Sequence, residues 1–164
     1  MAMKDALLPE FDHEMAVTRK VLERVPDEKF AWAPHEKSMT LGRLAGHIAD
    51  IPSWVKETLT RDSIDLSGDY TPNVPATRAQ VLETFDRMVA EARPLIDGTT
   101  DAQFMSMWTL KSKDQEMFSA PKAAVLRSFV FSHLVHHRGQ MTVYLRLTGV
   151  PVPSIYGPSA DEAN

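Results

Sequence analysis

Apolar residues recur at helical spacing in four segments, and this periodicity constrains the fold of the chain more than any other feature. Because residues three and four positions apart lie on one face of a helix, each segment can bury one apolar stripe. Four long amphipathic helices predict a single domain, 1–164, of the all-α class, arranged as a four-helix bundle. The first two segments run from about residue 5 to 25 and from 40 to 59. The third starts at 77 and falters around 94 to 98, and the fourth runs from about 121 to 148.

Threonine, proline and glycine mark where these helices begin, bend and end. Thr40 and Thr77 are good N-caps, because a threonine hydroxyl accepts a hydrogen bond from an amide of the first turn. Pro52 lies inside the second segment and is expected to kink it, while the third segment falters around Pro94 to Gly98. Gly149 marks the end of the fourth segment.

The connections between the segments differ in character. Residues 60–76 are polar and are expected to form a long crossover between the second and third helices. Residues 99–120, between the third and fourth helices, are expected to hold short extra elements. These are a helical turn at Asp101–Phe104 and extended pieces around Met107–Leu110 and Glu116–Phe118.

The composition argues against several classes of protein. The net charge is −4 and no basic stripe is present, so we expect no nucleic-acid partner. The chain has no cysteine, which excludes disulfides, thiolate ligands and a cysteine nucleophile. Its longest apolar runs are much shorter than a membrane-spanning helix, so we expect no membrane partner. The N-terminal residues show no signal-peptide pattern, which favours a cytoplasmic protein.

His133 and His137 are four residues apart in the fourth segment, so a helix there projects both rings from one face. Two imidazoles buried side by side are costly unless each has a polar partner, and a divalent metal satisfies both at once. The alternatives are two surface histidines, or two core histidines that are hydrogen-bonded to neighbours. On a helical wheel the pair shares its apolar stripe with Leu126, Val130, Tyr144 and Leu147.

His47 is the best candidate for a third ligand. It lies at the edge of the apolar stripe of the second helix, on the same side as Ile51 and Trp54. Metal sites in helical bundles are built from several helices, and three neutral imidazoles leave a coordination position open for water or substrate. The alternative is a half-buried histidine that serves packing alone.

Four stretches of the sequence resemble the DinB/YfiT-like family of metal-binding four-helix-bundle proteins, and the resemblance covers nearly the whole chain. The stretch at the fourth helix, in which two histidines are followed by Arg-Gly-Gln, is fairly specific, whereas the stretch at the second helix would be weak alone. The four stretches are Leu44–Asp50, His133–Gln140, Gly149–Pro153 and Tyr156–Ser159.

The resemblance implies a metal site, a metal and an oligomeric state. It implies that His47, His133 and His137 correspond to the metal triad of the family, and that the ion is a divalent transition metal, zinc or nickel. It also implies a homodimer. Relatives of this kind include transferases and isomerases that use a low-molecular-weight thiol, together with metal-dependent hydrolases.

An open three-histidine metal site can support two reactions. The metal can bind and deprotonate a small thiol, which then attacks an electrophilic substrate, or it can lower the pKa of bound water and deliver hydroxide. The absence of cysteine fits a thiol taken from solution, and it fits hydrolysis equally well. We place thiol transfer first by analogy and hydrolysis second. A non-catalytic metal-binding or ligand-binding protein of the stress response is the third hypothesis.

Four further residues are weaker candidates for the site. Asp50, one turn from His47, could orient a ligand or relay a proton, and Tyr144 continues the histidine stripe; both are candidate catalytic residues. Trp54 and Gln140 are candidate substrate contacts. Each residue also has a non-functional alternative. Asp50 can be a solvated helix acid, Gln140 and Tyr144 can be polar groups in the core, and Trp54 can be a packed aromatic ring.

Three residues next to the histidine pair are expected to serve structure. His136 lies off the stripe, where an interface or surface position is the better interpretation and support of a metal ligand is the alternative. Arg138 points away from the stripe, which favours a structural ion pair. Gly139, a poor helix former, is expected to permit close helix packing.

Overall fold

The structure, a computed structural model, describes residues 1–68 and 74–163. Its first helix, α1, spans Met3–Leu22 and buries Leu7, Phe11 and Met15 on the predicted stripe. The helix ends before the expected residue 25. A single turn of 3₁₀ helix follows at Asp27–Lys29.

The second predicted helix is divided at the proline expected to kink it. Helix α2 spans Leu41–Asp50, and helix α3 spans Ser53–Thr60 with Pro52 as its N-cap. The Thr40 hydroxyl accepts a hydrogen bond from the Arg43 amide at 3.2 Å, which confirms the predicted cap of α2. The break follows from proline chemistry, because Pro52 has no amide to continue the ladder of hydrogen bonds.

Helix α4 spans Arg78–Gly98 and begins at the predicted cap, where the Thr77 hydroxyl accepts from the Gln80 amide at 3.3 Å. The expectation that this helix falters around Pro94 is wrong, because the helix continues through Pro94 to Gly98. Ala92 and Ile96, on either side of the proline, are buried in the core, so tertiary packing holds the last turns helical.

A small sheet corrects the all-α prediction. Its strands are β1 (Ser63–Asp65), β2 (Met107–Ser112) and β3 (Gln115–Pro121). β2 lies in the middle, parallel to β1 and antiparallel to β3. The two pieces predicted as extended form β2 and β3, and the predicted helical turn is α5 (Asp101–Phe104).

β1 lies in the segment predicted as a crossover, of which residues 69–73, including Pro72, are outside the described residues. The fold is therefore predominantly helical with one small sheet. The predicted count of four helices is not confirmed, because the second helix is divided and α5 is additional.

The fourth predicted helix contains a change of helix type that the sequence did not predict. It comprises α6 (Lys122–Leu126), a π-helical segment at Arg127–Ser132, and α7 (His133–Leu147). A π turn adds one residue, which rotates everything after it by about 100° relative to a continuous α-helix. The buried stripe therefore continues from Leu126 and Val130 into Leu134, Arg138, Met141 and Leu145.

This rotation changes the surroundings of two predicted core residues. Leu147, expected in the apolar stripe, is 60% exposed. Gly139 is also exposed, and a Cβ built on it would meet no atom within 4 Å, so its predicted role in close helix packing is wrong. His133 and His137 move to the side of α7 that faces α2.

Helix packing brings the two histidine-bearing helices together. α1 packs against α4 and α7, α2 and α3 pack against α4, and α2 packs against α7. Within the described residues, no helix combines the length and the apolar character that crossing a membrane requires.

A buried ion pair connects α1 to α7. The Arg138 guanidinium lies 2.7 Å from a Glu14 carboxylate oxygen, and Arg138 is 1% exposed, which confirms its predicted structural role. The guanidinium also donates to the Thr18 hydroxyl at 3.2 Å. The Tyr156 hydroxyl donates to the Glu14 carboxylate at 2.8 Å, so the C-terminal segment joins the same network.

We expect Glu14→Gln to lower the free energy of unfolding by about 3–5 kcal/mol, because it leaves the Arg138 charge buried without its counterion. Urea denaturation measures the change. The matched control is Asp12→Asn, on the same helix as Glu14, which breaks an exposed ion pair with Arg93 of α4 and should change stability little. Equal effects of the two substitutions would show that burial adds nothing to the Glu14–Arg138 pair.

Candidate metal centre

Three histidines from two helices converge on one point. His47 comes from α2, while His133 and His137 come from the first turns of α7. The Nε2 atoms of His47 and His133 lie 3.1 Å apart. The ring centroid of His137 lies 4.5 Å from that of His47 and 4.7 Å from that of His133. One potential ligand atom from each residue lies within 4.8 Å of the others.

The separation between His47 and His133 is close to what a shared metal requires. Two nitrogens bound to one tetrahedral zinc at roughly 2.0–2.1 Å lie about 3.3 Å apart. The same contact can be a hydrogen bond between a protonated and an unprotonated ring nitrogen. In either case the three rings form a group that could hold a metal ion.

Burial favours the neutral form of all three imidazoles. Burial, together with the nearby His137, His133 and Arg43, lowers the pKa of His47 to about 4. Burial also lowers the pKa of His133, which the Phe129 carbonyl partly opposes, and burial likewise lowers the pKa of His137. Neutral imidazole is the form that binds metal, so the site is ready to accept a cation at neutral pH.

Gln140 fixes the orientation of the His137 ring. Its side-chain oxygen lies 2.7 Å from His137 Nδ1, and its side-chain nitrogen lies 3.2 Å from His136 Nε2. An amide oxygen only accepts, so His137 donates from Nδ1 and keeps the lone pair of Nε2 free for a metal. Hydrogen bonds of this kind commonly orient metal-binding histidines. Gln140 therefore orients His137, and His136 contacts Gln140.

A cavity of about 360 Å³ opens beside the histidines. Two of the three, His47 and His133, lie in its wall, while His137 is buried and is not among the lining residues. The remaining lining comes from α2, from the break before α3, from α3 and from the turn after β1. These residues are Asp50, Ile51, Ser53, Trp54 and Leu66.

The weaker candidates from the sequence divide between the cavity and the scaffold. Asp50 and Trp54 line the cavity. Tyr144 is engaged elsewhere: its hydroxyl donates to the Met39 carbonyl at 3.2 Å, and its ring meets Trp32 edge-on at 5.5 Å. Gln140 lies on the exposed side of α7, behind His137.

The sequence did not identify Ser53 and Leu66 as lining residues. Leu66 lies in the connection predicted as a polar crossover, and its backbone N–H donates to the Lys111 carbonyl at 2.8 Å. That contact joins residues distant in sequence, so no local signal indicates it. The spacing of Gln140 from His137, by contrast, is one helical turn, which is the signal that could have identified it as a supporting residue.

Comparisons with known proteins agree with the fold and leave the chemistry open. The model of the DinB family matches residues 1–164. The chain is 29% identical over 163 residues to the uncharacterized protein YrdA of Bacillus subtilis strain 168, covering 96% of this chain and 90% of that protein.

Two solved structures extend the comparison. A DinB-like protein from Bacillus cereus ATCC 10987 has a TM-score of 0.73 and 25% identity, covering 94% of this chain and 98% of that one. A DinB-like protein from B. subtilis (YjoA) has a TM-score of 0.70 and 16% identity, covering 92% and 97%, and shows the fold alone.

We expect Gln140→Leu to weaken metal binding about 10- to 100-fold, because the substitution removes the acceptor that orients His137. Competition with a chromophoric chelator measures the affinity. Gln140→Glu keeps an acceptor at the same position and should bind at least as tightly as the wild type. Unchanged affinity in the leucine variant would show that this hydrogen bond does not position the ligand.

In the chelator-treated protein we expect the free energy of unfolding to fall as the pH drops from 6.5 towards 4. His47 takes up a proton near its ordinary pKa of 6.5 when unfolded but only at about 4 when folded, so acid favours the unfolded chain in this window. Urea denaturation at several pH values should show a smaller loss for His47→Gln. Equal losses of stability in the wild type and in His47→Gln would contradict the assignment of this pH dependence to His47.

Proposed function

This chain belongs to the DinB family, and we propose that it is a metalloenzyme that binds one divalent transition ion, zinc or nickel, through His47, His133 and His137. The observation that carries the proposal is the convergence of three neutral imidazoles, from two helices, on one point. His137 is buried and the other two imidazoles are half-buried. Withdrawing imidazoles from water together is costly without a common partner, and a divalent cation is a partner that serves all three.

An open site favours a reactive metal over a structural one. Structural zinc is usually held by four protein ligands, whereas catalytic zinc keeps a position for water or substrate. Among the described residues, the group around the triad contains three metal-binding side chains. Two of them face a cavity large enough for a small molecule. The site thus combines a place for an exogenous ligand with a place for a substrate.

The favoured reaction is transfer of sulfur from a small external thiol to an electrophilic carbon. The bound metal supplies Lewis acidity that lowers the pKa of a thiol or water molecule. Asp50, in the cavity wall one turn from His47, accepts the thiol proton and passes it to solvent. A carbon–sulfur bond forms, and the leaving group departs with its bonding electron pair. The thiol comes from solution because the chain has no cysteine.

Hydrolysis is the second candidate, and Asp50 is the observation that favours it. A carboxylate beside a metal site can take a proton from an attacking water and return it to the leaving group. The oxygen–carbon bond to the water forms as the bond to the leaving alcohol or amine breaks.

A metal-binding protein without turnover is the third candidate. Homodimerisation, which the family resemblance implies, stays a prediction for analytical ultracentrifugation.

Metal content tests the first part of the proposal. Elemental mass spectrometry should find about one equivalent of zinc or nickel in the wild type. His47→Ala, His133→Ala and His137→Ala should each lose it while retaining their circular dichroism spectra. His35→Ala, which changes a histidine in an exposed loop, is the matched control and should keep the metal. Full occupancy in a folded triad variant would remove that residue from the site.

Turnover tests the second part. Chlorodinitrobenzene with glutathione or cysteine reports sulfur transfer, and p-nitrophenyl acetate reports hydrolysis. We expect Asp50→Asn to lower kcat about 10²- to 10⁴-fold for the reaction in which Asp50 handles the proton, with metal content unchanged. Metal-dependent turnover of the ester alone would favour hydrolysis, and turnover of neither compound by the loaded protein would favour the non-catalytic candidate.

A further inference from the structure

The main-chain carbonyl of Phe129 accepts a hydrogen bond from the ring of His133. The Nε2 atom of His133 faces His47 at 3.1 Å, so Nδ1 is the ring nitrogen that meets this carbonyl. A carbonyl only accepts, which places the proton of the neutral ring on Nδ1 and leaves the lone pair of Nε2 free. The Phe129 carbonyl thus does for His133 what the Gln140 side chain does for His137.

The π-helical segment makes this carbonyl available to the ring. The backbone N–H of His133 donates to the carbonyl of Val130, three residues earlier. A continuous α-helix would direct that N–H to the carbonyl of Phe129, four residues earlier. The carbonyl that would pair with the main chain of His133 in an α-helix therefore accepts here from its side chain.

The ring of Phe129 belongs to an aromatic cluster with Trp54 of α3, Trp108 of β2 and Phe118 of β3. The distances between ring centroids are 5.5 Å to Trp54, 6.1 Å to Trp108 and 5.5 Å to Phe118. Trp108 is fully buried, and its indole N–H donates to the Glu57 carbonyl at 3.2 Å. A ring packed against three others has little freedom to move, so the cluster also restrains the main chain at Phe129.

We propose that Phe129 is a positioning residue of the metal centre: the packing of its ring holds its carbonyl where it sets the tautomer and the orientation of His133. The effect on metal binding rests on the proposed function, whereas the tautomer of His133 is a property of the protein without metal. Trp54 also lines the cavity, so the same ring contacts position a wall of the cavity and a proposed metal ligand.

Nitrogen NMR of the chelator-treated protein, isotope-labelled at histidine, identifies the tautomer of His133 at neutral pH. The wild type should carry the proton on Nδ1. Phe129→Ala removes the ring from the cluster and should give a mixture of the two tautomers, whereas Phe129→Tyr retains the ring and should retain the Nδ1 tautomer. A wild type with the proton on Nε2 would overturn the proposal.

Metal affinity and the absorption spectrum of bound Co(II) report the geometry of the ligands. Phe129→Ala should weaken metal binding about 10- to 100-fold in competition with a chelator, and it should change the Co(II) spectrum. If the alanine variant does not fold, Phe129→Leu, which keeps most of the side-chain volume, should show the same changes to a smaller degree.

Phe131→Ala is the matched control. Phe131 lies in the same π segment, but its ring packs edge-on against Phe11 of α1 at 6.4 Å. It is 3% exposed, so its substitution should lower the free energy of unfolding while leaving the tautomer, the affinity and the Co(II) spectrum unchanged. Equal effects of the two alanine substitutions on tautomer and affinity would make Phe129 a packing residue only and would overturn the proposal.

The positioning role and the metalloenzyme proposal can fail separately. A wild type that binds no metal, with an Nδ1 tautomer that is lost in Phe129→Ala, would support the positioning role and contradict the metalloenzyme proposal. A wild type that binds metal through the triad, with tautomer and affinity unchanged in Phe129→Ala, would overturn the positioning role and leave the metal site in place.

Discussion

The π-helical segment at Arg127–Ser132 determines how the last long helix presents its two faces. Because of its extra residue, the buried stripe continues from Leu126 and Val130 to Leu134, which is the next core position. A continuous α-helix would place His133 and His137 at the centre of that stripe. The π segment instead turns them towards α2 and His47, where the three rings meet. Irregular helical turns of this type often occur at functional sites, because they redirect side chains without ending the helix.

The Glu14–Arg138 pair holds this rotation in place. Arg138 follows His137 directly, so the residue that is fixed against α1 and the residue that faces α2 are neighbours on α7. A buried charge has a strong requirement for its counterion, and the Tyr156 hydroxyl adds the C-terminal segment to the same cluster. The orientation of the histidine pair therefore depends on contacts on the opposite side of the helix. Gln140 then selects the ring nitrogen that His137 presents.

The chemistry available at the site depends on the burial of the three imidazoles and on the access that the cavity gives to two of them. Burial lowers the pKa of each histidine and keeps it neutral, which prepares the rings for a cation. The cavity beside His47 and His133 leaves room for a second molecule. Trp54 lines the cavity and also packs against the β2 residue Trp108. The small sheet thus supports the wall of the site.

Local patterns in the sequence determined the helical segments, the caps at Thr40 and Thr77, the break at Pro52 and the spacing of the histidine pair. Each depends on residues within one or two turns of one another, so no knowledge of the fold is needed. The prediction of His47 as a third ligand rests on its helix face and on a family resemblance, whereas its approach to the histidine pair is a tertiary contact. Tertiary structure alone decided the π segment, the continuation of α4 beyond Pro94, the pairing of β1 with β2 and the position of Leu66. The physical reason is that packing and pairing between residues far apart in sequence outweigh the weak local preferences at these positions.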